Sequence, residues 1–307
     1  MPAITPDLRE RARGCLLGAA VGDAFGMALD RAPRQPVNAQ IRSMRRGRLP
    51  EGQFTASTGA MLTVAEALLE ASPPDAAALA ARVEAARKAN APRIGVQARG
   101  LLAHLAGVPP RDQAEAAAAE SPKPDAGVLL RCLPLALANL DNPFACLTQA
   151  RDLCRATHPH PDCAAGGGFV ATVLWHLIQG LAPRQALRQS LEACGDLPST
   201  LEHTIRWAST RLRDKLVNGA EVQPLVESAV WGLLTTASFA EAVTRVTNLG
   251  GSAAIAGALI GAWAGAAYRH SGIPADWRTL VHGTWPARGR TWREKDLADL
   301  ALRLALA

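Results

Sequence analysis

The sequence predicts an all-α fold: one multi-helix domain over residues 1–307, with a buried helix of small residues at its centre. Composition is the first reason. Of the 307 residues 49% are apolar but only 4% aromatic, so alanine, leucine and valine must fill the core, and alanine favours helix. Periodicity is the second. Met61, Leu62, Ala65, Leu68 and Leu69 mark one helical face, and similar spacing recurs along the chain, with no alternating run long enough for a strand. The third is the run from Ala253 to Ala267, almost wholly apolar, with Gly257, Gly261 and Gly265 four residues apart. That small-residue face lets helices approach closely. The run is at the short end of what spans a bilayer, and Arg269 and His270 follow at once, so it reads as a central core helix.

Taken in order, Arg9 to Met27 carries apolar and small residues at helical spacing. Residues 31–53 hold Pro33, Pro36, Pro50, Gly47 and Gly52 and read as a surface loop. A helix starts near Thr58, and Ser72-Pro73-Pro74-Asp75 stops it, with Asp75 capping the next. Further helices are expected at 76–89, 95–107, 111–119, 127–139, 143–156, 163–180, 183–194, 199–216, 223–234, 238–247, 253–268 and 292–305. Residues 271–291 read as loop. No Ser/Gly/Pro-rich break and no fixed repeat divides the chain.

The formal charge is +6. The basic residues are scattered, with only four lysines (Lys88, Lys123, Lys215, Lys295) and a single tyrosine. No nucleic-acid surface is expected. The six cysteines form no Cys-x-x-Cys pair, which argues against zinc and dithiol chemistry. They read as core residues with free thiols in a reducing cytoplasm. No long apolar stretch follows a basic start at the amino terminus, so no signal peptide is read. No membrane association is expected.

Several residues invite a chemical reading. Asp23 lies within Gly18-Ala19-Ala20-Val21-Gly22-Asp23-Ala24-Phe25-Gly26. An acid in such a run must be paired or hydrogen-bonded, and a structural acid held by backbone donors is one reading. Asp30 is a loop acid or a cleft acid. Thr55 or Ser57 caps the helix that follows, and the amides of such an end can receive an anion. Ser252 reads as a cap for the small-residue helix. Arg131 makes an internal salt bridge or meets a ligand. His158-Pro159-His160 places two histidines in a proline-held loop, a poor metal site without further ligands, which leaves His158 structural or ligand-facing.

Together these segments resemble the ADP-ribosylglycohydrolase family. The family opening Gly-x-x-x-Gly-x-x-x-Gly-Asp-Ala-x-Gly, with a Glu soon after, is matched by Gly14, Gly18, Gly22, Asp23, Ala24 and Gly26, and Asp30 falls at the Glu position. The family's Thr-Asp-Asp-Thr appears as Thr55-Ala56-Ser57-Thr58. Its Gly-Asn-Gly-x-x-Met-Arg-x-x-Pro is matched at Gly127, Arg131 and Pro134, with Ala126 and Leu130 at the Asn and Met positions. Thr157-His158 fits a Thr-His segment ahead of a long helix. Gly250-Gly251-Ser252 stands where the family has Gly-Gly-Asp-x-Asp-Thr, and Ile273-Pro274 with Trp277 fits an Ile-Pro-x-x-Trp that packs the tail.

The resemblance implies the family fold over almost the whole chain. It also implies a cleft lined by Thr55, Ser57, Thr58, Gly127, Arg131, His158, Gly250, Gly251 and Ser252. In the family the acidic segments hold two magnesium ions. Hard cations want carboxylates among their oxygen ligands, and here those positions carry Ala56, Ser57 and Ser252, so neither a metal nor a cofactor is expected. Two functions follow. One is a binding protein for ADP-ribose, another nucleotide-like small molecule or a protein partner. The other is a metal-independent hydrolase or lyase on a glycosidic or related bond. Its acids would be Asp30 and Asp23, with His158 or Asp162 as helpers.

Overall fold

The structure, a computed structural model, describes residues 5–70, 124–158, 160–285 and 289–307. The expected cap Asp75 and the helices expected at 76–89, 95–107 and 111–119 lie outside the described residues. The fold is all-α. Helices α1 (Pro6–Gly26) and α2 (Ala56–Glu70) come first. A 3-10 segment, Ala126–Cys132, then runs into α3 (Leu133–Ala138). There follow α4 (Pro143–Thr157), α5 (Pro161–Ile178), α6 (Pro183–Cys194), α7 (Ser199–Trp207), α8 (Val222–Thr235), α9 (Phe239–Thr247), α10 (Ala253–Tyr268) and α11 (Ala275–Leu280). A hairpin of β1 (His282–Thr284) and β2 (Thr291–Arg293) leads into α12 (Glu294–Leu306).

The core is organised around α1 and α10, which pack antiparallel along most of their length. A Cβ on Gly14, Gly18, Gly22 or Gly26 would fall 2.1, 2.2, 1.9 and 2.1 Å from the carbonyl oxygens of Gly265, Gly261, Gly257 and Ala253. Only glycine permits that approach, so four successive turns of α1 are keyed to four turns of α10. The pair is closed at one end by Arg11, which is buried, bonds Asp7 at 2.7 Å and donates to the last carbonyls of α10, Ala266 and Ala267, at 3.1 Å each. A cation there complements the helix dipole. Trp277 seals the pair from the side, its ring 4.6 Å from that of Phe25, as the Ile-Pro-x-x-Trp resemblance implies. Among the described residues no helix is long and apolar enough to cross a membrane.

Three expectations are corrected. The helix expected over 199–216 stops at Trp207 and gives way to short 3-10 turns. Thr210 Oγ1 bonds back to the Trp207 carbonyl at 2.8 Å, and Leu212 and Val217 stay exposed rather than extending an apolar face. The expected loop 271–291 holds α11, with Ile273 and Trp277 buried four residues apart, and the strand β1. Each strand has three residues, too few for alternation to register. The expected helix 127–139 opens as 3-10 because Pro134, in the first turn of α3, has no N–H to donate back along an α ladder.

Candidate functional site

The carboxyl end of α1 meets the amino ends of α2 and α10. Asp23 is fully buried one turn before the end of α1. Its Oδ2 accepts from Thr55 N and Oγ1 at 3.0 Å each, and from Thr58 N at 3.3 Å and Oγ1 at 2.5 Å. Asp23 is thus a structural acid that caps α2 from another helix. Thr55 adds a cap of its own, its Oγ1 accepting from Ser57 N at 3.1 Å. The helix therefore starts at Ala56 rather than near Thr58, and Ser57 lies within its first turn. Burial raises the Asp23 pKa to about 6 against the lowering effect of the Thr58 and Thr55 bonds. Oδ1 is buried with no hydrogen-bond partner.

Asp30 sits at the amino end of α10. Its Oδ1 accepts from Ala254 N at 3.4 Å and its Oδ2 pairs with Arg48 from the long loop. Ser252 holds the N-cap position but makes no side-chain cap bond, so the cap expected of it is supplied by Asp30 from outside the helix. Gly250 and Gly251 both adopt left-handed backbone, φ 72° and 61°. A Cβ there would meet Ala32 O at 2.3 Å or Asn218 O at 2.4 Å. Their backbone clamps neighbouring loops: Gly251 accepts from Arg31 N at 2.7 Å and donates to Ala32 O at 2.9 Å. Asn218 Nδ2 donates to Gly250 O at 3.0 Å, and its carbonyl accepts from Ser252 N at 2.8 Å.

A second group lies across the 218–222 strand of chain. Ala126 N donates to Ala220 O at 2.8 Å, and Val222 N to Pro124 O at 2.9 Å, which anchors the 3-10 segment against α2, α5 and α10. Asp125 caps that segment, Oδ1 accepting from Gly127 N at 2.8 Å. Arg131 is buried, and its Nε and Nη1 have no hydrogen-bond partner. Burial lowers its pKa, opposed chiefly by the Asp125 charge. His158 ends α4 and is buried, not on the rim of the site as the family resemblance implies. Burial first, then the Arg131 charge, lowers its pKa to about 4 against Asp125, so it is neutral at pH 7. His160 caps α5, its Nδ1 accepting from Asp162 N at 3.1 Å. All six cysteines are buried and unbridged; Cys132 and Cys154 lie 3.4 Å apart beside Arg131.

Thr55, Thr58, Asp23, Asp30 and Gly250–Ser252 therefore converge around three helix ends. Gly127, Arg131 and His158 form the neighbouring group, and Asn218 to Val222 joins the two. Sequence reasoning missed Asn218 and the pairing role of Arg48. An Asn-Gly pair at 218–219 is a turn signal, but nothing local marks its amide as the brace of a second turn. Chemically, the first group supplies a capped, hydrogen-bonding floor, and the second supplies a buried cation beside a neutral imidazole.

The ADP-ribosylglycohydrolase family model matches residues 4–307. The chain is 28% identical over 280 residues to the ADP-ribosyl-[dinitrogen reductase] glycohydrolase of Rhodospirillum rubrum, covering 89% of this chain and 90% of that one. It is 25% identical over 295 residues to the ADP-ribosylarginine hydrolase Tri1 of Serratia proteamaculans, covering 90% and 77%. The solved structure of an ADP-ribosylglycohydrolase-related protein complex superposes with a TM-score of 0.81 at 25% identity, covering 98% of this chain and 99% of that one. With a family match over nearly its full length and a matching fold, the chain belongs to the ADP-ribosylglycohydrolase family.

Proposed function

We propose that this family member binds an ADP-ribose-like or nucleotide ligand between the two groups, without the binuclear magnesium chemistry of its relatives. The observation that carries the reading is Arg131: a buried guanidinium with two unpartnered nitrogens. Burying a cation whose Nε and Nη1 lack hydrogen-bond partners is costly, the Asp125 charge offsetting that cost only in part, and a phosphate offers it two acceptors in matching geometry. The residues present do not fit a pair of hard cations. Ala56, Ser57 and Ser252 stand at the acidic positions, Asp23 Oδ2 is filled by four donors, and Asp30 is held by Arg48 and Ala254. Among the described residues no group of three His, Cys, Asp or Glu is placed to hold a metal ion.

Calorimetric titration of ADP-ribose, first with magnesium and then with a chelator, tests the reading. Binding that survives the chelator and weakens on Arg131→Ala is the expected result. Magnesium-dependent release of ADP-ribose from an ADP-ribosylated arginine substrate would overturn it.

A metal-independent hydrolase is the second reading. It is favoured by Asp23, whose pKa near 6 and unpartnered Oδ1 suit a proton donor. In that case Asp30→Asn would abolish turnover while leaving ADP-ribose affinity nearly intact.

A further inference from the structure

Between Arg31 and Pro50 the chain holds six arginines and neither an acid nor a lysine. The whole chain has 33 Lys and Arg against 27 Asp and Glu, so this one loop accounts for the entire positive excess. Two of the six are used internally. Arg34 donates to Asp214 O at 2.8 Å and to Leu216 O, and Arg48 pairs with Asp30. Arg42, Arg45 and Arg46 are exposed and take part in no ion pair among the described residues. The loop is nonetheless firmly held. Asn248 accepts from Ile41 N at 2.8 Å and donates to Ile41 O at 2.8 Å, while Gln35 N donates to Asn248 O at 2.9 Å. Arg213 reaches back to Gln35 O at 2.8 Å.

These bonds bring loop 31–42 beside loop 211–217, and the two present bare apolar side chains. Val37 and Leu212 are each 69% exposed, and Val217 55%. Exposed apolar residues on a loop rich in arginine mark protein interfaces more than nucleic-acid grooves. No exposed aromatic lies within either loop to stack on bases.

We propose that this rigid basic and apolar face, next to the ends of α1 and α10, docks a protein partner with an acidic surface interrupted by apolar side chains. Opposite charge sets orientation and encounter rate, and Val37 with Leu212 supplies the buried centre. The proposal does not depend on what the cleft binds.

The test is fluorescence anisotropy with a labelled peptide of glutamates interspersed with leucines. An all-glutamate peptide and a single-stranded DNA of matched charge serve as comparisons. The mixed peptide should bind tightest. R42E/R45E/R46E and Val37→Ser/Leu212→Ser should each weaken it about tenfold or more. R184E/R188E, a charge reversal on exposed arginines of α6, should leave it unchanged. Tighter binding of the DNA, equal loss in the α6 variant, or no binding of the mixed peptide would each overturn the proposal. Circular dichroism of every variant checks folding. ADP-ribose titration of the same variants separates this surface from the cleft, because its affinity should not change.

Discussion

Asp23 and His158 are buried groups whose charges the interior opposes, and they pull stability in opposite directions across one pH window. Burial lifts the Asp23 carboxyl from 3.8 to about 6. Between those values the folded chain holds more protons than the unfolded one. The Asp23 contribution is therefore full below 3.8 and lost as pH rises through about 6. Burial and Arg131 push His158 from 6.5 to about 4. There the unfolded chain holds more protons, so the His158 contribution is full above 6.5 and lost as pH falls through about 4. With one pH unit equal to ~1.4 kcal/mol, each group moves stability by roughly 3 kcal/mol, with opposite sign. The parent protein should therefore show little net slope from this pair, and each single variant should unmask the other group. Urea denaturation of Asp23→Asn and His158→Gln, followed from about pH 4 to 7, reads the effect. Relative to the parent, Asp23→Asn should gain roughly 3 kcal/mol as pH rises, and His158→Gln should lose as much. Any constant cost of the substitution drops out, because only the slope is read. Curves parallel to the parent, or two slopes of the same sign, would refute the charge states assigned to the site.

Gly22→Ala places a methyl 1.9 Å from Gly257 O. Alanine returns about 1 kcal/mol of helix propensity, but backbone faces backbone and no rotamer can yield. A net loss of ~2 kcal/mol or more is expected in thermal melting, and Gly22→Val should not fold. Thr58→Val keeps the volume but removes the 2.5 Å bond to Asp23. It should cost about 1–3 kcal/mol and move the Asp23 pH transition upward, since that bond is the strongest influence lowering its pKa. Trp285 Nε1 donates to Thr63 Oγ1 at 2.9 Å, tying the hairpin region to α2. Trp285→Phe should lose about 1 kcal/mol in denaturant melts.

Helix ends were legible where punctuation was local. Residues 183–194 and 253–268 are helical with the expected bounds, and the first starts at Pro183 and stops at Gly195, φ 65°. Arg269, at φ 71°, ends α10 without a glycine, so only the end of the apolar run marked it. The glycine spacing of both central helices was readable, and so was the need of Asp23 for donors. The identity of those donors was not. Thr55 and Thr58 lie 32 and 35 residues away, and periodicity within one helix carries no information about which other helix end will face it. Ser252 fails as a cap for the same reason: a carboxylate 224 residues distant in sequence reaches Ala254 N. The burial of His158 was equally hidden, because the Pro159 that follows it signals a loop without saying what covers it.

The fold and the candidate site rest on different residues here, so the helix packing can persist while residues at the helix tips vary. The α1–α10 contact is a ladder of glycine against carbonyl along the axis of both helices, and substitutions at the helix tips leave it untouched. A cluster of carboxylates at the tips of α2 and α10 would repel itself unless cations offset it. In this chain the tips carry Ala56, Ser57 and Ser252. Asp23 is neutralised in effect by four donors, and Asp30 by Arg48 and the amino end of α10. Both acids thus have protein partners, with Asp23 Oδ1 left without one. Arg131 is buried beside a neutral His158, with the Asp125 charge near it and its Nε and Nη1 without hydrogen-bond partners. Those two orphaned nitrogens are what a phosphate would satisfy, and they are the physical reason for the proposed reading of this member as a binder of ADP-ribose-like ligands.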